Sequence, residues 1–121
     1  MPKREWRFFL MDIKECIDKI IKYTKDMNKN QFLLDDKTYD AVMRNLQIIG
    51  EAVKQFPIQI REKYPKVAWK KIAGLRDIVT HEYFGIDEDI IWDVVHKKIP
   101  GLKPEIDTII KEIFKKGPEK G

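Results

Sequence analysis

Residues 35 to 53 read DDKTYDAVMRNLQIIGEAV, and this stretch decides the fold class. Its apolar side chains recur every three or four residues, which is the period of a helix with one buried face and not the two-residue period of a strand. Asp35 or Asp36 is suited to cap the start of that helix. The spacing predicts a helix that runs to about Gln55, because Pro57 then stops it. The side chains expected to face the core are Ala41, Val42, Leu46, Ile49 and Val53.

The same helical period continues on both sides of this stretch. No segment alternates at period two for long, so strands are not expected. In chain order the predicted segments are a first helix over roughly residues 4–27, a polar link at 28–31, the helix described above, a connector at 57–66 with at most one short turn of helix, and a third helix from Trp69 to Tyr83 or Phe84.

The C-terminal third of the chain predicts two further helices. Asp87 can cap a fourth helix, and Pro100 with Gly101 is expected to break it. Pro104 fits the first turn of a fifth helix. About five helices with short links describe an all-α, up-and-down helical bundle. We expect a single domain over residues 1–116 and a flexible tail at 117–121.

Length and composition limit the functional classes. The chain has 121 residues, enough to bury a core without covalent staples. Its single cysteine, Cys16, predicts a small buried hydrophobe and no disulfide, and the lack of a secretory leader favours the cytoplasm. No apolar run is long enough to cross a bilayer. The net charge of +4 comes from interleaved basic and acidic residues, which permits contact with nucleic acid without requiring it.

Residues 74 to 85, GLRDIVTHEYFG, carry the candidate chemistry. Arg76 offers a planar fork of donors that matches phosphate oxygens. His81 is the side-chain type that titrates near neutral pH, so it can take a proton from a hydroxyl or return one to a leaving oxygen. Together they suit a transfer in which a ribose 2′-OH attacks the adjacent phosphorus. No metal or cofactor is expected, since the two histidines and one cysteine show no zinc spacing.

The spacing of these residues raises a geometric problem. At 100° per residue, Arg76 and Tyr83 lie nearly in line, whereas Arg76 and His81 diverge by about 140°. One straight helix cannot aim all three side chains at one point. Either the helix loosens near His81, or two chains place their third helices side by side. We favour the second arrangement, a homodimer whose reactive groups meet across a twofold axis.

Two stretches resemble a known superfamily. DDKTYDAVMRNLQIIGEAV and KYPKVAWKKIAGLRDIVTHEYFGIDEDIIWDVV are similar to the HEPN superfamily, in the branch that contains the HepT toxins. The hallmark of that superfamily is an arginine and a histidine with four to six residues between them. Arg76 and His81, with four residues between them, match it. The resemblance extends over roughly residues 4 to 113.

The resemblance implies a homodimeric, metal-independent ribonuclease toxin with Arg76 and His81 as catalytic residues at the dimer cleft and RNA, such as tRNA or mRNA, as substrate. It also implies that a cognate minimal nucleotidyltransferase antitoxin modifies Tyr83 with AMP. One position departs from the pattern: this branch commonly has asparagine after the arginine, and here Asp77 stands there. A carboxylate beside Arg76 is expected to pair with it and weaken its hold on phosphate.

Other interpretations of the same residues stay open at this point. Arg76 also fits a surface arginine, His81 a structural histidine near a helix end, and Tyr83 a core aromatic. His96 suits the C-terminus of the fourth helix. The main alternative function is a non-catalytic helical protein that binds a nucleotide or docks a nucleotidyltransferase, with Arg76 and His81 holding a phosphate without breaking a bond.

Overall fold

The computed structural model describes residues 5–80 and 87–116, and within those ranges every regular element is helical. The all-α bundle predicted from the sequence is therefore confirmed. The predicted end of the third helix and the predicted tail at 117–121 lie outside the described residues. In chain order the helices are α1 (Trp6–Thr24), α2 (Lys29–Leu34), α3 (Asp36–Val53), α4 (Ile58–Lys63), α5 (Trp69–Ala73), α6 (Leu75–Thr80), α7 (Glu88–Asp93) and α8 (Ile99–Lys116), with a π-helical turn, Val94–Lys98, between α7 and α8.

The core lies between the three long helices. Helix α1 packs along α3 and α8, and α3 also packs against α5 and α6. Burial of each large aliphatic side chain contributes about 1.5–3 kcal/mol, which is what holds these helices together. Among the helices of the described ranges, none combines the length and the apolar composition that a bilayer crossing needs. The fully buried aliphatic side chains of the three long helices are Leu10, Ile13, Ile17, Ile20, Val42, Leu46, Ile49, Val53, Ile99, Ile106 and Ile109.

The predicted inward face of α3 is largely confirmed. Val42, Leu46, Ile49 and Val53 are buried, whereas Ala41 is only partly buried. The prediction for Cys16 is also confirmed, because its side chain is 5% exposed. Burial disfavours the thiolate and raises the pKa of this thiol to about 11.

The start of α3 resolves the choice between two aspartates. Asp35 is the N-cap, since its carboxylate accepts a hydrogen bond from the Thr38 backbone N–H at 3.1 Å. That bond satisfies a donor that the first turn of a helix would otherwise leave without a partner. It also lowers the pKa of the Asp35 carboxyl. Asp36 is the first helical residue.

The predicted polar link at 28–31 is wrong, because α2 begins there. Asn28 Oδ1 accepts from the Gln31 N–H at 2.8 Å, and Gln31 Oε1 accepts from the Asn28 N–H at 2.9 Å. This reciprocal capping box starts a helix, and the fully buried ring of Phe32 anchors it to the core. The connector predicted at 57–66 contains more helix than the one short turn expected, because α4 spans six residues.

The third predicted helix is interrupted near its start. Gly74 separates α5 from α6, so two helices stand where one was predicted. The Trp69 ring at the start of α5 is buried, and its Nε1–H donates to the carbonyl oxygens of Arg61 and Tyr64 at 3.1 and 2.9 Å. These bonds tie α5 to the end of α4.

The predicted break at Pro100 and Gly101 is wrong. The chain stays helical from α7 through the π-helical turn into α8. Pro100 lies where the π-helical turn passes into α8. The fixed φ of proline is compatible with a helix, so its missing N–H removes one helical hydrogen bond there without ending the helix. The buried side chains of Ile99 and Leu102 then hold this turn against the core, which keeps the backbone helical through both residues.

Candidate functional site

A close approach of two backbones fixes the position of Arg76. A Cβ atom on Gly50, in the middle of α3, would lie 2.9 Å from the Arg76 backbone nitrogen and 3.3 Å from the carbonyl oxygens of Ile72 and Ala73. Glycine alone leaves room for this contact. The junction between α5 and α6 therefore packs directly against α3. Arg76 lies just after that junction, in the first turn of α6, so its backbone is held against α3.

The Arg76 side chain reaches toward α3 and lies at a cleft. Its Nε is 3.5 Å from Glu51 Oε2, and the two side chains are 48% and 51% exposed. Ion pairs with this exposure contribute about 0–1 kcal/mol, so the pair restrains the guanidinium without burying it. The cleft has a volume of about 420 Å³. It is lined by Phe9, Asp12, Ile48, Glu51, Ala52, Lys54, Gln55 and Arg76.

The charges around this cleft are balanced. Arg76 and Lys54 supply two cations, and Asp12 and Glu51 supply two carboxylates. An anion that enters the cleft meets both signs, so it must compete with Glu51 for the guanidinium. The cleft can thus hold one phosphate group through a forked contact with Arg76, at the cost of one exposed ion pair.

The predicted site residues divide between described and undescribed parts of the chain. Arg76 and Asp77 are described, and both are exposed in the first turn of α6. His81 and Tyr83 lie outside the described residues, so their predicted positions beside Arg76 stay predictions. An ion pair joins Arg76 to Glu51 on α3. The pairing of Arg76 with Asp77 likewise stays a prediction.

The second histidine has a different place from the one expected. His96 is exposed and lies in the π-helical turn, where the backbone continues into α8. Its ring stacks on Trp92 with centroids 4.9 Å apart and planes 13° from parallel. The prediction that it marks a helix C-terminus is wrong, because no helix ends there.

Sequence reasoning missed the acidic side of the cleft. Asp12 and Glu51 come from α1 and α3, far from residue 76 along the chain. Gly50 was a usable signal, since a glycine inside a helical pattern marks a close backbone approach. That signal does not name the segment that approaches. In the part of the chain that the structure describes, no three His, Cys, Asp or Glu side chains come together so that they could hold a metal ion.

Comparison with known proteins supplies the family context. The model of the family described as "Ribonuclease HepT-like" matches residues 13–109. A Methanocaldococcus jannaschii protein named "Putative RNase MJ0127" is 51% identical over 113 residues, which cover 93% of each chain. "Probable ribonuclease HepT" of Thermococcus cleftensis is 38% identical over 109 residues, covering 90% of this chain and 99% of that protein. No solved structure matches the chain significantly.

Proposed function

Because the chain belongs to the HepT-like ribonuclease family, we propose that it is a metal-independent RNA-cleaving toxin in which Arg76 and His81 act on one phosphodiester. His81 takes the proton of a ribose 2′-OH, and the 2′-oxygen attacks the adjacent phosphorus. Arg76 binds the phosphate oxygens and stabilises the charge that develops on them. The 5′-oxygen leaves with the proton that the His81 imidazolium returns to it, so the products are a 2′,3′-cyclic phosphate and a 5′-hydroxyl.

The placement of Arg76 is the observation that carries this proposal. Its guanidinium is half exposed at the edge of a cleft, while its backbone is fixed against α3 through Gly50. A positioned charge of this kind suits transition-state stabilisation, because little reorganisation is needed when the substrate arrives. Single-stranded RNA is the favoured substrate, since its 2′-OH can align for attack.

We further propose that two protomers complete the site across a twofold axis. The cleft is flanked on α1 by apolar side chains that remain open to solvent: Phe8 is 56% exposed and Met11 40% exposed. They neighbour Phe9 and Asp12, which line the cleft. An interface that covered Phe8 and Met11 would bring the Arg76 side chains of both copies toward one RNA strand.

Control by a nucleotidyltransferase antitoxin is the regulatory part of the proposal. The antitoxin would transfer AMP from ATP to the Tyr83 hydroxyl and release pyrophosphate. The added phosphate would then take the place of the RNA backbone beside Arg76, blocking the cleft and neutralising its cation. We expect fully modified protein to lose RNA cleavage with unchanged helicity, measured by circular dichroism. Retained cleavage after complete modification would refute this step.

The second candidate is a non-catalytic protein that holds a nucleotide or docks a nucleotidyltransferase. The Glu51 carboxylate supports it, because pairing with Glu51 leaves less of the Arg76 charge to stabilise the transition state of cleavage. Purified chain incubated with end-labelled single-stranded RNA in EDTA separates the two candidates. The enzyme proposal requires cleavage with cyclic phosphate ends, identified by mass spectrometry, and loss of cleavage in Arg76→Ala and in His81→Ala.

A matched control uses an arginine outside the cleft. Arg44 is exposed on α3 and does not line the cleft that contains Arg76. Arg44→Ala therefore removes the same charge from the surface without changing the cleft. We expect Arg44→Ala to cleave like the unmodified chain. If the Arg76→Ala and His81→Ala variants cleave at the same rate as Arg44→Ala, the activity does not come from this pair. RNA binding without cleavage by the unmodified chain would support the second candidate.

A further inference from the structure

A second concave surface lies on the opposite side of α6 from Arg76. At 100° per residue, Ile78 is rotated by about 160° from Arg76, so the two side chains leave opposite faces of the helix. Ile78 and Leu75 line a groove of about 520 Å³ whose other wall comes from the π-helical turn and α8. This groove is therefore separate from the cleft that contains Arg76.

The inside of the groove is apolar. Its aliphatic lining residues are Ala68, Ile72, Leu75, Ile78, Val94, Ile99 and Leu102. A volume of this size falls in the range of about 300–1,000 Å³ that is typical of ligand-binding concavities. None of the lining residues in the described part of the chain carries an aromatic ring. Nucleotide bases bind proteins chiefly by stacking on aromatic rings, so the lining does not favour nucleic acid.

The rim of the groove is strongly basic. Lys66, Lys71, Lys97 and Lys98 surround it, and Glu105 is the acidic residue among the lining side chains that the structure describes. Lys97 Nζ lies 4.0 Å from Asp93, at the limit of an ion pair. Four cations against one carboxylate give the rim a positive potential, which attracts an acidic ligand and repels a basic one.

The π-helical turn contributes to this shape. Val94, Lys97 and Lys98 line the groove, and all three belong to the turn. A π-helical turn bonds each N–H one residue further back than an α-helix does, and such turns recur at functional sites because they displace side chains from the regular helical positions. Here the turn places an apolar side chain on the wall and two lysines on the rim.

We propose that this groove binds an acidic, amphipathic helix of a partner protein. Aliphatic side chains at positions i, i+3, i+4 and i+7 of that helix would fill the apolar floor, and flanking glutamates or aspartates would pair with the lysine rim. The charge pattern selects this occupant over a second copy of the same chain, whose net charge is +4. The proposal is independent of RNA cleavage, because no groove residue lines the Arg76 cleft.

The test measures binding of a synthetic helical peptide by fluorescence anisotropy. The probe carries leucine at i, i+3, i+4 and i+7 and glutamate on both flanks. Two matched peptides replace the glutamates by lysine or the leucines by serine. We expect the full chain to bind the probe and to bind either matched peptide at least about tenfold more weakly. Equal binding of the serine peptide would overturn the proposal, because attraction would then be electrostatic alone.

Variants of the chain locate the binding surface. A Cβ atom on Gly101 would meet nothing within 4 Å, so Gly101→Leu starts from an open position at the groove edge. We expect Gly101→Leu, and the double variant Lys97→Glu/Lys98→Glu, to weaken probe binding at least about tenfold with unchanged helicity. Lys22→Glu/Lys25→Glu changes the net charge equally at the C-terminal end of α1, away from the groove, and should bind like the unmodified chain.

Four further results would overturn the proposal. The probe fails to bind, or it binds all variants equally. Alternatively, sedimentation velocity finds concentration-dependent self-association that Gly101→Leu abolishes, which would assign the groove to a second copy. Finally, oligouridine displaces the probe from the unmodified chain but does not bind the double lysine variant, which would assign the groove to RNA.

Discussion

Adding one methyl group at Gly50 is expected to act on both stability and the cleft. In Gly50→Ala the new Cβ would lie 2.9 Å from the Arg76 nitrogen, whereas ordinary contact begins at 3.4 Å. The neighbouring atoms are backbone, so no side-chain rotation relieves the clash. Overpacking of this kind costs about 1–3 kcal/mol, and replacing glycine by alanine in a helix returns about 1 kcal/mol. The net loss of unfolding free energy is therefore about 0–2 kcal/mol.

Gly101→Ala is the matched control for that substitution. It makes the same chemical change inside α8, where the new Cβ meets nothing within 4 Å. The propensity gain of about 1 kcal/mol is then not offset, and the variant should be stabilised. Subtracting one variant from the other cancels the propensity gain, so the difference between them measures the clash of about 1–3 kcal/mol.

Thermal unfolding followed by circular dichroism gives this difference directly. For a domain of this size, 1 kcal/mol shifts Tm by about 4 °C, so Gly50→Ala should melt about 4–12 °C below Gly101→Ala. Separation of α6 from α3 also displaces Arg76, and we expect RNA cleavage to fall about tenfold in Gly50→Ala alone. If the two variants melt at the same temperature, the close approach at Gly50 does not exist in solution.

Further substitutions probe the core, the surface and the cleft. The pKa of Cys16 is raised to about 11 in the folded chain, so between pH 9 and 11 the unfolded chain loses this proton first. The free energy of unfolding should therefore fall by about 2 kcal/mol over that range. Chemical denaturation at several pH values should show that this contribution to the pH dependence is absent in Cys16→Ala. The hydrogen bond from Lys103, at 2.7 Å, lowers the pKa of Asp18 in the folded chain. The stabilisation from the ionised carboxylate is therefore complete above the pKa that Asp18 has in the unfolded chain, and it is lost as pH falls through the pKa in the folded chain. Because both side chains are exposed to solvent, Asp18→Asn should cost only about 0.5–1 kcal/mol at pH 7 and nothing once the carboxyl is protonated, as measured by denaturation at both pH values. Trp69→Phe removes the indole donor to two carbonyl oxygens and should lower the free energy of unfolding, measured by urea denaturation, by about 1–3 kcal/mol. A change near zero would argue against those hydrogen bonds. Glu51→Gln should lower KM for RNA about threefold with little change in kcat, and an increased KM would mean that Glu51 does not compete with the substrate.

Local signals in the sequence predicted most of the helices, and the exceptions have physical causes. The aspartate at position 35 and the apolar period after it specified α3, because caps and periodicity act over a few residues. Pro100 and Gly101 misled the prediction, since the buried side chains of Ile99 and Leu102 on either side of them hold the backbone helical. Tertiary packing decided the outcome at Pro100 and Gly101, and a short stretch of sequence does not show it. The capping box of Asn28 and Gln31 was a local signal of α2 that the prediction overlooked.

The candidate site was predictable to a lesser degree. Arg76 stands out by its chemistry and by the residues around it, and family resemblance reinforces it. Its partner Glu51 lies 25 positions earlier, on another helix, and no spacing rule connects the two. The glycine next to Glu51 is the one local signal of the contact, because it marks where another backbone comes close. Which segment approaches is a property of the folded chain.

The pair between Arg76 and Glu51 has a strength that suits a phosphate-binding role. An exposed pair of this kind contributes about 0–1 kcal/mol, whereas a hydrogen bond to a charged group contributes about 1.5–3 kcal/mol. Displacement of Glu51 by an RNA phosphate therefore costs only about 0–1 kcal/mol. A freely rotating arginine would lose about 2 kcal/mol of side-chain entropy on binding, and the pair has already removed part of that freedom. Glu51 thus keeps the guanidinium over the cleft and still releases it to the substrate.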